Sequence, residues 1–248
     1  MPVTYGVHWN SVAPAPETSC TFVAIPAVAS VASGVVSVMQ SMGHIERFVR
    51  ANEHAWASDY EHPEVAATGQ SLTEDGIDSV GLMYYAGHGL PEVSVSLASN
   101  HFGCRAFYSN MRLGVRELRW LVLDLCGGVA GPDVSASVNM VWSEPTNGDS
   151  ARPLESLHVL CTFVDESFAG IDTGRGGEFA TFVSHGAPVG SAWLDAAFAR
   201  SGEQANIPIA IACGSDEADA RFRLDNGRLA DGAGGPVPSF SLAWKWRT

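Results

Sequence analysis

The sequence predicts an α/β protein whose mostly parallel β-sheet carries helices on both faces. Three continuous apolar runs support this prediction, namely VGLMYYAG (80–87), WLVLDLC (120–126) and LHVLCTF (157–163). Their length and composition are typical of strands that are buried on both faces of a sheet. Elsewhere in the chain, apolar residues recur at three- and four-residue spacing, which indicates amphipathic helices. Strands that alternate with helices in this way favour a parallel sheet in a three-layer arrangement.

The N-terminal third supplies the first strand and the first helix of this scheme. TYGVHWN (4–10) has the composition of a strand. Residues 34–58 are predicted as a helix. The apolar positions that suggest this helix are Val36, Met39, Met42, Ile45, Phe48 and Val49. A polar segment containing Pro63 and Gly69 then leads to the apolar run at 80–87.

The rest of the chain continues the alternation of strands and helices. Val93, Val95 and Leu97 alternate with polar residues, which predicts either an edge hairpin within 90–104 or an excursion of the chain near the end of the first strand. The other predicted elements are strands in 116–131, 155–167 and 207–216, helices in 176–188 and 189–202, and a hairpin or strand in 220–232 that turns at Asn226 and Gly227.

Composition and charge narrow the possible classes of protein. The chain has 248 residues, of which 46% are hydrophobic and 17% charged, so we expect one folded domain spanning 1–248. A net charge of -13 without a basic cluster argues against nucleic acid and anionic membranes as partners. The first residues, MPVTYGVHWNS, lack a basic region followed by an apolar run, which favours a cytoplasmic protein. The sequence gives no indication of the oligomeric state.

The five cysteines are scattered and never form a CxxC pair. Such spacing predicts free thiols and neither a disulfide framework nor a zinc site. Cys161 and Cys213 lie within apolar runs and are expected to be buried. Histidines at zinc-ligand spacing and phosphate-binding glycine motifs are both missing from the sequence, so no metal and no other cofactor is predicted.

Two of the apolar runs end at residues that can carry chemistry. His88 lies between Gly87 and Gly89 after one run, and Cys126 ends the other. Neighbouring parallel strands present such residues at one edge of the sheet. The histidine would then accept the thiol proton while the sulfur attacks a carbonyl carbon, with the pKa of the thiol lowered by the pairing. The backbone N–H groups of Gly89 and Cys126 would face the developing oxyanion.

Three further residues are candidates for contact with substrate, each with a structural alternative. Asp124 shares a strand face with Cys126, and either orients a bound group or makes a structural hydrogen bond. His101 is a candidate for the same sheet edge. The Tyr85 hydroxyl reaches the rim of the site, or the ring serves packing alone.

YYAGHG (84–89) and LVLDLC (121–126) resemble the caspase-like cysteine peptidases, a group that includes caspases, legumains, gingipains and separases. Together with LHVLCTF and GSAWLDAAF, these motifs also resemble DUF6345, a family of uncharacterised bacterial proteins, over most of the chain from about residue 75 onward. The resemblance implies a three-layer caspase-like sandwich, with His88 as general base and acid and Cys126 as nucleophile. The segment after Cys126, GGVAGPD, matches no peptidase pocket, so no side-chain preference is predicted.

Three functions are consistent with these features. The first is a cysteine-dependent hydrolase or acyl-transfer enzyme acting on peptide-like substrates. The second is a biosynthetic cyclase or isomerase acting on a small apolar molecule, for which the aromatic residues would line a cavity. The third is a non-catalytic binding domain, which predicts an inaccessible Cys126, an inward-facing His88 and no cavity beside them.

Overall fold

A computed structural model describes residues 2–14, 20–98, 101, 103–143, 152–233 and 240–248. The strands are β1 (Thr4–Trp9), β2 (Ile45–Ala51), β3 (Leu82–Ala86), β4 (His88–Leu90), β5 (Ser94–Ser96), β6 (Arg105–Phe107), β7 (Trp120–Asp124), β8 (Val159–Val164), β9 (Ala199–Ser201), β10 (Gln204–Gly214) and β11 (Ser241–Trp246). The α-helices are α1 (Ala27–Ser41), α2 (Val134–Val138), α3 (Arg175–Ser184), α4 (Val189–Ala197) and α5 (Glu217–Asn226). The order of these elements confirms the α/β class.

The central sheet is mostly parallel, as the sequence predicts. Seven strands follow one another in the order β11, β10, β8, β7, β3, β1, β2, and β9 pairs with β10 beside this path. The five strands from β8 to β2 are parallel, whereas β10 and β11 are antiparallel to their neighbours. A separate three-stranded antiparallel sheet contains β4, β5 and β6. It corresponds to the predicted excursion and not to an edge hairpin of the central sheet, and only β5 lies wholly within residues 90–104.

The sheet forms the middle of three layers, and its two faces are covered differently. Side chains alternate along β3, so Leu82 and Tyr84 face one hydrophobic cluster and Met83 and Tyr85 face the other. Helices α1, α3, α4 and α5 cover the first face. The second face is covered by the small sheet, short 3₁₀ turns and the short helix α2. Helices therefore lie on both faces of the sheet, but the four longer helices all cover the first face.

The helix predicted over residues 34–58 is wrong in its bounds. Helix α1 begins at Ala27 and ends at Ser41, and the next segment forms the parallel edge strand β2. Gly43 has a φ of 77°, a left-handed conformation that suits glycine and stops the helix. The apolar residues of β2 happen to continue the helical spacing, so periodicity alone joined a helix to a strand.

The hairpin predicted over residues 220–232 is also wrong, because most of this segment belongs to helix α5. The Asp216 side chain accepts a hydrogen bond from the N–H of Asp219 at 2.8 Å and caps the helix N-terminus. Arg221 and Arg223 then pair with acidic residues one turn earlier in the helix. The Asn226–Gly227 pair marks the end of this helix and makes no tight hairpin turn.

Two of the cysteines that were expected to be free form a disulfide. Cys20 and Cys104 are joined although 84 positions separate them, and both are buried. Their proximity depends on how the N-terminal segment crosses the molecule, which cysteine spacing does not reveal. Cys161 and Cys213 are fully buried thiols, as predicted, and Cys126 is a partly exposed thiol.

Candidate functional site

The predicted site lies where β3 and β7 end at the same edge of the sheet. The two strands are parallel neighbours, with Tyr85 opposite Leu123 and Ala86 opposite Asp124. Immediately after the strands, the N–H of Gly87 donates a hydrogen bond to the carbonyl of Asp124 at 3.0 Å. The chain segments that carry the candidate base and the candidate nucleophile therefore leave the sheet side by side, as the sequence predicts.

Gly89 allows these two segments to approach one another closely. A Cβ atom at position 89 would lie 2.5 Å from the carbonyl oxygen of Cys126 and 2.6 Å from Cδ1 of Leu125. These distances are too short for any side chain, so glycine is required here. The backbone next to His88 therefore packs directly on the backbone of Cys126.

His88 is half-buried and is held from outside by an N-terminal segment. Its Nε2 lies 2.6 Å from the carbonyl oxygen of Val23, and its ring packs on Phe22 with centroids 4.5 Å apart. Because a carbonyl only accepts hydrogen bonds, Nε2 carries the proton and the Nδ1 of the neutral ring is the basic nitrogen. Burial lowers the pKa of His88, and the hydrogen bond to Val23 partly opposes this effect.

We call residues 20–26, which lie over His88, the N-terminal strap. The disulfide ties Cys20 at one end of the strap to Cys104, just before β6, and the other end of the strap leads into α1. Between these anchors the strap has no helix or strand structure, and the Val23 side chain is 75% exposed. The position of His88 thus depends on an exposed segment that is fixed at both ends.

Cys126 is in contact with the loop between β8 and α3. Its Sγ donates to the carbonyl of Ser167 at 3.5 Å and accepts from the N–H of the same residue at 3.4 Å. Burial raises the pKa of the Cys126 thiol, the Ser167 N–H opposes this rise, and the charges of Glu166 and Asp124 add to it. The expectation of a lowered thiol pKa is therefore wrong for this resting structure, in which the thiol and the imidazole are both neutral at pH 7.

Asp124 forms a buried ion pair, so the structure favours the structural alternative for this residue. Its two carboxylate oxygens accept hydrogen bonds from Arg175 at 2.6 and 2.8 Å, and the Tyr84 hydroxyl donates to it at 2.8 Å. Arg175 also donates to the carbonyl of Phe168 at 3.2 Å. The ion pair therefore connects β7 to the loop that holds Ser167 against Cys126.

Tyr85 and His101 also have structural contacts. The Tyr85 ring is fully buried, and its hydroxyl donates to the carbonyl of Ser96 at 2.6 Å and to that of His88 at 3.3 Å. The Tyr85 side chain thus links the backbone of His88 to that of Ser96. His101 stacks on Trp56 with centroids 4.0 Å apart. Contact of either residue with substrate stays a prediction.

The loop that contacts Cys126 lines a cleft of about 410 Å³. Ser167, whose backbone contacts the thiol, lines this cleft, and so does Ile25 of the strap. The remaining lining residues are Phe168, Ala169, Gly170, Ile171, Ser201 and Gln204. Sequence reasoning missed this cleft because its walls come from three segments that are far apart in the chain.

The described residues do not suggest a metal centre. Within the described ranges, no group of three His, Cys, Asp or Glu side chains could hold a metal ion. Burial lowers the pKa of His8 to about 3 and that of His158 to about 4. His8 contacts the Tyr60 hydroxyl at 3.1 Å, and His158 packs edge-on against Trp120. Both are neutral residues of the protein interior.

Fold and geometry together define a three-layer α/β protein with a thiol and an imidazole at one edge of a mostly parallel sheet. Over residues 16–241 the chain matches the family described as a domain of unknown function, DUF6345. The protein belongs to this family. No curated protein matches the chain. Among the described residues, none of the helices is long and apolar enough to cross a membrane.

Proposed function

We propose that this protein is a cysteine-dependent hydrolase or acyl-transfer enzyme with a caspase-like fold, in which Cys126 is the nucleophile and His88 the general base and acid. One observation carries the proposal: the backbone beside His88 packs on that of Cys126 through Gly89. Cys126 is partly exposed, and the loop that contacts its sulfur lines a cleft, which is consistent with attack on a bound carbonyl.

The hydrogen bond from His88 to Val23 gives the imidazole a defined role. It keeps the proton on Nε2, so that Nδ1 is the nitrogen that accepts a proton. The lowered pKa of His88 keeps the ring neutral, and therefore basic, at pH 7. The strap thus acts as a positioning element for the base.

The proposed reaction begins from a neutral thiol and a neutral imidazole. As the Cys126 sulfur forms a bond to the substrate carbonyl carbon, the thiol proton moves to Nδ1 of His88. The imidazolium then protonates the leaving group as its bond to the carbonyl carbon breaks, which leaves a thioester. Water or another acceptor attacks the thioester and gives its proton to His88, and the thiol is regenerated when that proton returns to sulfur.

Backbone donors next to the nucleophile complete this scheme. Among the described residues, no acceptor takes the N–H of Cys126, so this group is available to the developing oxyanion. Gly89 pairs with Val95 of β5, and its predicted role as a second donor is part of the proposal.

The other two functions have weaker support. A purely binding domain predicts an inaccessible Cys126, an inward-facing His88 and no cavity beside them. Cys126 is instead partly exposed and the loop that contacts it lines a cleft, while the half-buried His88 fits either function. A cyclase or isomerase for an apolar molecule predicts several aromatic side chains in its cavity, but among the described residues that line the cleft only Phe168 is aromatic. A substrate with a reactive carbonyl accounts better for these observations.

Acylation by an activated ester tests the proposal. With 4-nitrophenyl acetate, we expect release of nitrophenol together with an acetyl group on the Cys126 peptide, located by mass spectrometry. Cys126→Ala should abolish acylation, and His88→Ala should slow it by about 10²-fold or more. His185→Ala is the matched control, since this exposed histidine contacts the carbonyl of Thr181 one helical turn earlier and lies outside the proposed site. Equal ester hydrolysis by the Cys126→Ala variant would refute the proposal.

A further inference from the structure

We propose that the cleft lined by Ser167 and its loop binds the substrate group attached to the reacting carbonyl and selects an uncharged group. This inference rests on the proposed function, because it assigns a substrate class to the same site. Sequence reasoning predicted no preference, since the segment after Cys126 matches no known pocket. The preference is inferred here from the side chains that form the cleft and from the charges around it.

The position of the cleft connects both halves of the site. Ser167 contacts the Cys126 sulfur through its backbone and also lines the cleft. Ile25 also lines the cleft and lies two residues after Val23, whose carbonyl accepts a hydrogen bond from His88. Because the cleft shares one residue with the loop that contacts the sulfur and one with the strap that holds the imidazole, we assign the group attached to the reacting carbonyl to this space.

None of the described residues that line the cleft has a charged side chain. Its polar side chains are those of Ser167, Ser201 and Gln204, and Ile25, Phe168 and Ile171 supply its largest apolar ones. A charged group that leaves water without a partner of opposite charge loses a large solvation energy. Hydroxyl and amide groups, in contrast, pair readily with neutral polar groups. The cleft therefore suits an uncharged group, either apolar or able to form hydrogen bonds.

Charges around the cleft disfavour anions in particular. Asp165 and Glu166 precede Ser167 and are exposed, and Asp172 follows Ile171. The nearby cation Arg175 is buried and paired with Asp124, so its charge is already neutralised. Arg200 and Glu203, of opposite sign, flank the hairpin residues that line the cleft. We therefore expect uncharged groups to bind best, cationic groups less well and anionic groups least.

The size of the cleft permits a medium or large group. Its volume of about 410 Å³ falls within the usual range of small-molecule sites. Steric exclusion of a charged side chain is therefore not expected. Charge, and not size, is the property that should separate good from poor substrates.

Thioester substrates that differ only in side chain test this assignment. We would measure kcat/KM for N-acetyl thiobenzyl esters of leucine, asparagine, arginine and aspartate. The leucine and asparagine esters should exceed the arginine ester by about tenfold and the aspartate ester by about 100-fold. A preference for the arginine or the aspartate ester would overturn the assignment.

A second experiment introduces a charge into the lining of the cleft. Gln204 is exposed at the cleft, so Gln204→Glu should preserve the fold while raising kcat/KM for the arginine ester relative to the leucine ester by about tenfold. Gln70→Glu, outside the lining, is the matched control and should leave this ratio unchanged. An unchanged ratio in Gln204→Glu, with turnover still dependent on Cys126, would refute the pocket alone. Absence of Cys126-dependent turnover with every ester would refute the proposed function, and the pocket with it.

Discussion

The two halves of the candidate site are supported in different ways. Cys126 follows a central strand, and the loop that contacts it is anchored by the buried Asp124–Arg175 pair and by a hydrogen bond from the Phe168 N–H to Asn206 at 2.7 Å. His88 is instead fixed from outside by the N-terminal strap and its disulfide. The position of Cys126 therefore depends on the core of the sheet, whereas that of His88 depends on an exposed segment.

Removal of the buried Arg175 cation should cause the largest loss of folding stability. Arg175→Met leaves the Asp124 carboxylate buried without its partner, so we expect a loss of about 3–5 kcal/mol in the free energy of unfolding. Urea denaturation measures this loss. Arg221→Met is the control, because its pair with Glu217 is exposed and should contribute less than about 1 kcal/mol. Equal losses in the two variants would contradict a buried anchor for the nucleophile.

Loss of the disulfide should affect the His88 half most strongly. Replacement of both Cys20 and Cys104 by Ala should lower the free energy of unfolding by about 2–4 kcal/mol, because the link closes a long loop in the unfolded chain. The strap should also become sensitive to proteolysis, while contacts around Cys126 persist. A thiol reductant should reproduce both effects in the parent and have neither in the double variant. A strap that stays protected after the link is removed would show that the disulfide does not hold it.

Gly89→Ala tests the close contact between the chain segment that carries His88 and the segment that carries Cys126. The added Cβ would overlap the Cys126 carbonyl and Leu125, so we expect a destabilisation of about 1–3 kcal/mol and slower acylation of Cys126. Gly174→Ala is the control, since the nearest atom to its Cβ would be at an ordinary 3.4 Å. Similar stability and acylation rates in both variants would argue against a close approach at Gly89.

The smallest effect is expected from removal of the Phe22 ring, which packs on His88 and should change the pKa of that histidine. Burial lowers the pKa of His88 in the folded protein, so folding stability should fall as the pH drops from about 6.5 towards that lowered value. Phe22→Ala exposes the imidazole to water, and its pKa should rise towards the ordinary value. An NMR titration of the histidine ring would detect this rise. An unchanged pKa would mean that Phe22 does not desolvate the base.

The sequence predicted the mostly parallel sheet correctly, and the strands that lead to His88 and Cys126 are neighbours in it. Runs such as 82–86 and 120–124 are apolar throughout, as central parallel strands require, and their neighbouring ends bring His88 and Cys126 to one edge. Local periodicity did not separate α1 from β2, because the apolar residues of the edge strand continued the helical spacing. Propensity and spacing therefore predicted elements better than their boundaries.

The contacts that hold Cys126 and His88 in place could not be predicted from local sequence. Cys20 and Cys104 are far apart in the chain, and a lone Arg175 within GRGGEF gives no sign of a partner on β7. The strap acts through the backbone carbonyl of Val23, a group that every residue has. The raised pKa of Cys126 likewise follows from burial in the folded chain. Tertiary contacts determine each of these features.

The most direct test of the account is the rate at which iodoacetamide alkylates each cysteine at pH 7, with and without His88. Cys161 and Cys213 are fully buried and serve as internal controls. The account predicts that Cys126 alone is labelled in the native protein, and that His88→Ala slows this labelling by about tenfold or more because the base is lost. Equal labelling rates of Cys126 in the parent and in His88→Ala would contradict the proposed pair.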